Sequence, residues 1–213
     1  MKDLRLEKKF VLGKNKEFFL KKFLLNNFFK KLYPSRKINS IYLDTLDYNF
    51  MKDNIDGISD RKKIRFRWYN NDTKNIFFEI KNKKNFVVLK TIHKIKKIKE
   101  KNFIDELKHH LKFSKINNHN YKFVLKVSYD RSYWISPDKK FRATIDTKIN
   151  ATAINNKKKT IFLPDTILEF KFLPNYELSF RNFINSKSNL LRVQKYSKYV
   201  RSFIALEDGG RFN

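Results

Sequence analysis

Apolar and polar residues alternate along much of this chain, with the period of two that is typical of β-strands burying one face. Asn70, Asn71 and Asp72 separate two such stretches and predict a hairpin turn. Strands are predicted over residues 1–12, 38–43, 64–69, 76–80, 86–90, 123–133, 142–146 and 166–172. We therefore expect a fold dominated by an antiparallel sheet.

A few segments show helical spacing instead. The longest covers residues 16–32, where lysines lie opposite an apolar stripe that we interpret as core, packed on the outside of the sheet. The stripe consists of Phe18, Phe19, Phe23, Leu24 and Phe28. Shorter helical patterns lie at residues 47–51, 101–111 and 180–184. The expected class is α+β.

Within the predicted strands, charged residues recur at positions i and i+2. Because these positions share one face of a strand, each pair places two polar groups on the same side of the sheet. The pairs are Glu7/Lys9, Glu79/Lys81 and Glu169/Lys171, with Arg65/Arg67 and Arg142/Thr144. Burying unpaired charge costs several kcal/mol, so a sheet with this face turned inward must enclose water, ions or a charged ligand. The pattern favours a polyanion together with a metal.

The formal net charge of +28 also suggests a polyanionic partner. Lysine, asparagine, isoleucine and phenylalanine are all in excess, however, as expected of an AT-rich coding sequence, so the number of lysines indicates little. Arginine is more informative, because there are eleven arginines against thirty-eight lysines and a planar guanidinium binds phosphate bidentately. Arginines in strand-like segments are Arg61, Arg65, Arg67, Arg131 and Arg142. They favour a built phosphate site over a solvated basic surface.

Composition excludes several kinds of site. The 213 residues include no cysteine, so disulfides, thiol nucleophiles and Cys-ligated zinc are excluded. The four glycines form no phosphate-binding loop, and the four histidines show no metal-binding spacing. Phosphate recognition must then fall to side chains. We expect one cytoplasmic domain over residues 1–213 with a short disordered tail, no signal peptide, and no apolar stretch of the roughly 20 residues that a membrane span needs.

Five segments, taken together, resemble the VTC domain, the polyphosphate polymerase domain of vacuolar transporter chaperone proteins. They are SIYLDTLDYNFMKDNIDGISDRKKIRFRWY from Ser40, FFEIKNKKNFVVLK from Phe77, KVSYDRSYWISPDKKFRATIDT from Lys126, ILEFKF from Ile167 and KYSKYVRSF from Lys195. Single dyads are weak signals, but this ordered set spans almost the whole chain. The family belongs to the CYTH-like triphosphate tunnel metalloenzymes. The resemblance therefore implies a closed antiparallel β-barrel that encloses a tunnel, with helices packed outside.

The resemblance also implies roles for individual residues. The positions matched to catalysis are Arg65, Arg67, Lys81, Arg131, Arg142 and Lys198. Those expected to bind the triphosphate of ATP and the growing chain are Lys9, Lys90, Tyr129, Lys171 and Lys195. A tyrosine placed like Tyr129 more often belongs to the core. Glu169 is expected to hold the metal, Glu7 and Glu79 are candidates for either metal ligands or structural ion pairs, and Asp146 is a further carboxylate candidate.

The implied function is a metal-dependent polyphosphate polymerase that transfers the terminal phosphate of ATP to a polyphosphate chain, with Mn²⁺ or Mg²⁺ as cofactor. Two alternatives stay open: a triphosphatase of the same fold, and a non-catalytic module that binds polyphosphate or nucleotide. Synthesis uses an ionised phosphate oxygen as acceptor, whereas hydrolysis needs an activated water. A tunnel rich in Arg and Lys with few carboxylates therefore favours synthesis. Specific nucleic-acid binding is disfavoured because no recognisable basic and aromatic module is present.

ATP and polyphosphate are thus the expected partners. The sequence includes neither the phosphate-sensing domain nor the membrane segment of the eukaryotic family members. We therefore expect any membrane association to be peripheral and to depend on a separately encoded membrane partner, for which the basic surface gives weak support. The family tends to have a basic residue after the position of Lys90, where this chain has Thr91.

Overall fold

The strands assemble into one curled antiparallel sheet. A computed structural model describes residues 2–3, 5–84, 87–96, 103–113, 121–155, 159–187 and 191–209. The strands are β1 (Lys2–Asp3), β2 (Leu6–Leu12), β3 (Lys30–Thr45), β4 (Arg61–Tyr69), β5 (Asn75–Lys84), β6 (Val87–Lys96), β7 (Tyr121–Ile135), β8 (Arg142–Ala153), β9 (Thr160–Phe162) and β10 (Thr166–Phe172). The helices are α1 (Glu17–Asn26), α2 (Asn49–Ile55), α3 (Phe103–Phe113), α4 (Glu177–Lys187) and α5 (Lys198–Glu207).

The sheet is a half-barrel and not the closed barrel that the family resemblance implied. Its strands pair in the order β1-β6-β5-β4-β3-β7-β8-β10-β2, with β9 paired to β8. β2 uses all seven of its residues to pair with β10, and no ladder joins it to β6 within the described ranges. The facing strands β2 and β5 are instead connected by side chains, since Lys81 Nζ lies 3.2 Å from both carboxylate oxygens of Glu7.

The apolar positions of the strands pack against the helices. One buried cluster surrounds Phe170 and includes residues of α1 and α4, a second surrounds Phe66 and includes Leu107 of α3, and a third joins Val127 to Tyr199 of α5. Side chains at alternate positions of a strand point to opposite faces. The charged positions next to residues such as Phe66 are thereby turned to the concave face of the sheet.

The first helix is shorter than predicted. α1 ends at Asn26, because Phe28 adopts a left-handed conformation with φ of 62°, and β3 begins at Lys30. The helical spacing continued into residues that belong to a strand. Phe23 and Leu24 are buried as expected, but Phe18 and Phe28 are each 77% exposed, so their assignment to the core is wrong.

Most of the remaining elements follow the sequence pattern with longer bounds, whereas β10 has the predicted bounds and the strand predicted over residues 1–12 is divided into β1 and β2. The turn at Asn70 is confirmed, with φ of 51° at that residue, while β9 and α5 were not predicted. Parts of the strands predicted at residues 1–12 and 86–90, and residues 101–102 of a predicted helix, lie outside the described residues. Among the helices that are described, none is long and apolar enough to cross a membrane.

Candidate active site

A cavity of about 580 Å³ lies on the concave face of the sheet. Its wall is strongly basic: among the described residues, thirteen lysines and arginines line it and only two acidic residues do. The acidic residues are Glu7 and Glu169. The basic residues are Arg5, Lys8, Lys9, Arg61, Lys63, Arg65, Arg67, Lys81, Lys83, Arg131, Lys171, Lys195 and Lys198.

Strand β4 shows how the sequence builds this wall. Arg65 and Arg67 contribute to the cavity, whereas the alternating Ile64 and Phe66 are at most 1% exposed in the core. The alternation of apolar and basic residues therefore sorts the strand into a core face and a cavity face, as the strand period requires.

Glu79 fixes the first arginine of the wall. Its Oε2 lies 2.7 Å from Arg65 Nε and 2.6 Å from Arg65 Nη2, while its Oε1 accepts a hydrogen bond of 2.8 Å from Lys90 Nζ. Burial raises the pKa of Glu79, but Arg65, Arg67 and Lys90 outweigh burial and lower it to about 2. Both oxygens are occupied by cations and Glu79 is absent from the cavity wall, so its contacts are those of a structural ion pair.

Asp146 has the same function for a second arginine. This fully buried carboxylate accepts two hydrogen bonds from Arg131, from Nε at 2.6 Å and Nη2 at 2.7 Å. It also accepts one of 2.6 Å from Lys198 Nζ at the start of α5. Burial raises the pKa of Asp146, and the two cations lower it below its usual value. Asp146 therefore positions two cavity cations and does not itself line the cavity.

Glu7 and Glu169 are connected by a lysine. Lys171 Nζ lies 3.0 Å from Glu7 Oε1 and 3.1 Å from Glu169 Oε1, and Lys81 pairs with Glu7 from the opposite strand. Burial raises the pKa of Glu7, but Lys171 and Lys81 lower it to about 2; Lys171 and Lys9 likewise hold the pKa of Glu169 well below its usual value against the effect of burial. Both carboxylates are ionised at neutral pH.

These carboxylates fit a divalent metal. Hard cations such as Mg²⁺ take one or two carboxylates and complete their shell with phosphate oxygens and water, which matches two glutamates on one cavity wall. Thr144 Oγ1 is buried without a hydrogen-bond partner, and Thr144 pairs with Glu169 in the ladder between β8 and β10. The described residues contain no group of three or more metal-binding side chains, so substrate oxygens would have to supply the remaining ligands.

Asp44 joins the segment SIYLDT on β3 to the segment KYSKYVRSF, which contains the start of α5. It is fully buried on β3, and its carboxylate accepts hydrogen bonds from the backbone N–H groups of Phe50 and Met51 in α2 at 2.9 and 3.0 Å. It also accepts one of 2.6 Å from the Tyr199 hydroxyl. Asp44 thus ties α5 to the sheet and fixes where Lys198, the first residue of α5, enters the cavity.

The other predicted binding residues are placed as follows. Lys9 lines the cavity and donates to the carbonyl oxygen of Tyr196 at 2.9 Å. Tyr129 is 2% exposed, and its hydroxyl accepts a hydrogen bond of 3.3 Å from Arg67 Nη2, so it combines a core position with a polar contact at the wall. Burial raises the pKa of Tyr129, but Arg131 and Arg67 outweigh burial and lower it. Lys195 lines the cavity from an exposed position before α5.

Two predicted residues lie outside the wall. Lys90 reaches Glu79 but not the cavity surface, and Arg142 is exposed at the start of β8. The sequence analysis missed Lys63 and Lys83, which line the cavity. Strand parity could have found them, because Lys63 lies two residues before Arg65, and Lys83 lies two residues after Lys81.

The curled sheet and its cavity define the class: this is a protein with a cationic cavity on the concave face of an antiparallel sheet. A match to a family model identifies the family. The model of the VTC domain matches residues 4–206, and the chain therefore belongs to the VTC domain family. No curated protein matches the chain.

Solved structures share the fold at low sequence identity. The PH1819 protein of Pyrococcus horikoshii OT3 has a TM-score of 0.56 at 17% identity, covering 95% of this chain and 99% of that chain. A Bacillus halodurans protein described as a candidate adenylate cyclase has a TM-score of 0.58 at 15% identity, with 95% and 98% covered. A Vibrio parahaemolyticus protein with the same description has a TM-score of 0.52 at 12% identity, with 93% and 98% covered.

Proposed function

We propose that this protein is a metal-dependent polyphosphate polymerase, which transfers the terminal phosphate of ATP to a growing polyphosphate chain in the basic cavity. The observation that carries the proposal is the wall itself, where thirteen basic residues accompany two glutamates among the described residues. Cations at this density repel one another, so the ligand that offsets them must carry many negative charges. Membership of the VTC domain family supports polyphosphate as that ligand.

The contacts of the arginines support a role in phosphate binding. Arg65 is held by Glu79, Arg131 by Asp146, and Arg67 donates to Ser40 Oγ at 3.1 Å. Side chains fixed before the substrate arrives stabilise the charge of a transferring phosphoryl group without reorganising. We assign these arginines to the reacting phosphates. Among the lysines we assign to the same phosphates are Lys9, Lys81, Lys171 and Lys198.

Mn²⁺ or Mg²⁺ is the proposed cofactor. Glu169 would hold the ion, with Glu7 as the second carboxylate. Bound metal neutralises charge on the phosphate oxygens. The protein's own contribution is to keep both glutamates ionised, because Lys171 contacts each of them.

The same carboxylates favour synthesis over hydrolysis. A group with a pKa of about 2, as Glu7 has, is a weak base and activates water poorly. The acceptor in chain growth is a phosphate oxygen that is already ionised, so it needs no base. A wall of cations with two weakly basic glutamates is therefore better suited to phosphate transfer between polyanions than to hydrolysis of triphosphate.

The proposal is tested by incubating the protein with ATP and Mn²⁺ while following ADP, free phosphate and polyphosphate together. We expect polyphosphate and ADP to form in matching amounts, and both to be lost in Arg65→Ala and Glu169→Ala. Lys62→Ala, on the opposite face of β4 from Arg65, is the control and should keep activity. ADP with free phosphate and no polymer would identify a triphosphatase, and tight binding without turnover would identify a binding module.

A further inference from the structure

One group of cavity cations has no carboxylate partner. In the part of the chain that the structure describes, Arg61, Lys63, Lys83 and Lys195 line the cavity and make no ion pair. We call these four residues the Arg61 cluster. The cations assigned to the reacting phosphates differ, because most of them are paired with Glu7, Glu79, Glu169 or Asp146.

The cluster lies at one end of the ladder between β4 and β5. Arg61 begins β4 and stands opposite Lys83, while Lys63 stands opposite Lys81. The pair two residues further along is Arg65 with Glu79, the first of these three cross-strand pairs to include a carboxylate. Like charges directly opposite each other destabilise a sheet, so the two cation pairs lower the stability of this end of the ladder.

The destabilising effect of these unpaired charges is clearest at Lys63. Burial lowers its pKa well below the usual value, and the neighbouring Lys9, Lys81, Arg65 and Arg61 lower it further. The hydroxyl of Ser197, 3.0 Å from Lys63 Nζ, is a neutral acceptor and leaves the ammonium charge unbalanced. Burial and Arg61 also lower the pKa of Lys83. Each of these costs is removed when an anion lies among the four side chains.

The distance along β4 separates this cluster from the central arginines. Arg61 and Arg65 are four residues apart, or about 13 Å along a strand. A triphosphate is shorter than this separation of the two backbone positions, so one centred on Arg65, Arg67 and Arg131 leaves most of the distance towards Arg61 unfilled. A longer linear chain of phosphates can contact both groups at once.

We propose that the Arg61 cluster is a second anion subsite, which holds phosphate groups beyond those at the central arginines and makes the cavity select linear polyphosphate over triphosphate. This inference rests on the proposed function and adds chain length as the property that is recognised. A short ligand fills the central site alone. A long chain fills both and gains additional charge-assisted contacts.

The test compares two ligands and two matched double variants by titration calorimetry at fixed salt. The ligands are tripolyphosphate and a linear polyphosphate several times longer. Arg61→Gln/Lys83→Gln removes two charges from the subsite. Lys62→Gln/Lys84→Gln removes the same charge from the adjacent positions of the same two strands, which point to the other face.

We expect Arg61→Gln/Lys83→Gln to bind the long chain about tenfold more weakly and tripolyphosphate with nearly unchanged affinity, while the control variant keeps both affinities. An equal loss for the two ligands, or no loss, overturns the second subsite. Arg65→Ala tests the proposed function separately, because it should weaken tripolyphosphate binding. Unchanged tripolyphosphate binding in Arg65→Ala would show that the central arginines do not hold the ligand. The second subsite would still be tested by comparing the two ligands in Arg61→Gln/Lys83→Gln.

Discussion

Arg65 and Glu79 form a closely held ion pair at the cavity wall, with Nε and Nη2 of the arginine 2.7 and 2.6 Å from one carboxylate oxygen. The contact fixes the plane of the guanidinium, while Lys90 holds the other oxygen of Glu79. Glu79 is 3% exposed, so the pair is shielded from water on the carboxylate side. The central arginine is therefore positioned before any ligand binds.

The first prediction concerns the stability of this pair. Glu79→Gln removes the charge that Arg65 and Lys90 share and leaves two cations without a partner. We expect the free energy of unfolding to fall by roughly 3 kcal/mol, measured by urea denaturation. Glu177→Gln is the control, because Glu177 pairs with Lys8 and Arg181 at the surface, where such pairs contribute less than about 1 kcal/mol. Equal losses in the two variants would mean that burial of Glu79 adds nothing.

The second prediction concerns pH. The pKa of Glu79 is lowered from 4.5 to about 2 by folding, so its ion pairs stabilise the protein fully above pH 4.5 and are lost as the pH falls from 4.5 towards 2. This contribution amounts to at most about 3 kcal/mol. The unfolding free energy should decline with a shallower slope in Glu79→Gln than in the wild type over this range. Equal slopes in the two proteins would show that folding does not change the pKa of Glu79.

The third prediction separates stability from binding at Ser197. Its hydroxyl caps α5 by accepting from the Val200 N–H and also accepts from Lys63. Ser197→Ala should cost about 1 kcal/mol of stability. Ser197→Asp should keep the cap but place a negative charge beside Lys63 of the Arg61 cluster. We therefore expect near wild-type unfolding and weaker binding of the long polyphosphate by calorimetry. Unweakened binding of the long polyphosphate in Ser197→Asp would show that Lys63 does not contribute to holding the chain.

The fourth prediction concerns the metal. Glu169→Gln and Glu7→Gln should each raise the Mn²⁺ concentration needed for half-maximal turnover of ATP, because each removes one carboxylate of the proposed ligand set. Glu17→Gln on α1 is the control, since Glu17 pairs only with Lys21 in the same helix among the described ion pairs. A metal requirement unchanged in both cavity variants would assign the metal to the substrate phosphates alone.

Much of the site could be predicted from local sequence. The i, i+2 pattern selects Lys9, Arg65, Arg67, Lys81 and Lys171 because strand geometry depends on nearest neighbours alone, and the structure brings all five to the cavity wall. Arg142 belongs to the same pattern but lies outside the wall. The same rule applied to β4 would also have selected Lys63.

What could not be predicted depends on long-range pairing. Asp146 was a candidate for the cavity, yet it is buried beneath Arg131 and Lys198. Nothing in the local sequence distinguishes a carboxylate that pairs with cavity-lining cations from one that lines the cavity itself. The open edge beside β2 is likewise a matter of register between distant strands. The overlong first helix has a local cause, because aromatic residues at helical spacing continued into the start of β3.

The fate of the terminal phosphate of ATP distinguishes the polyphosphate synthesis that we propose from hydrolysis. The wild-type protein would be supplied with ATP labelled at that phosphate together with Mn²⁺, and the products separated by size. We predict that the label enters polyphosphate, with unlabelled ADP as the other product. Label found entirely in free phosphate would contradict the claim and assign the cavity to hydrolysis.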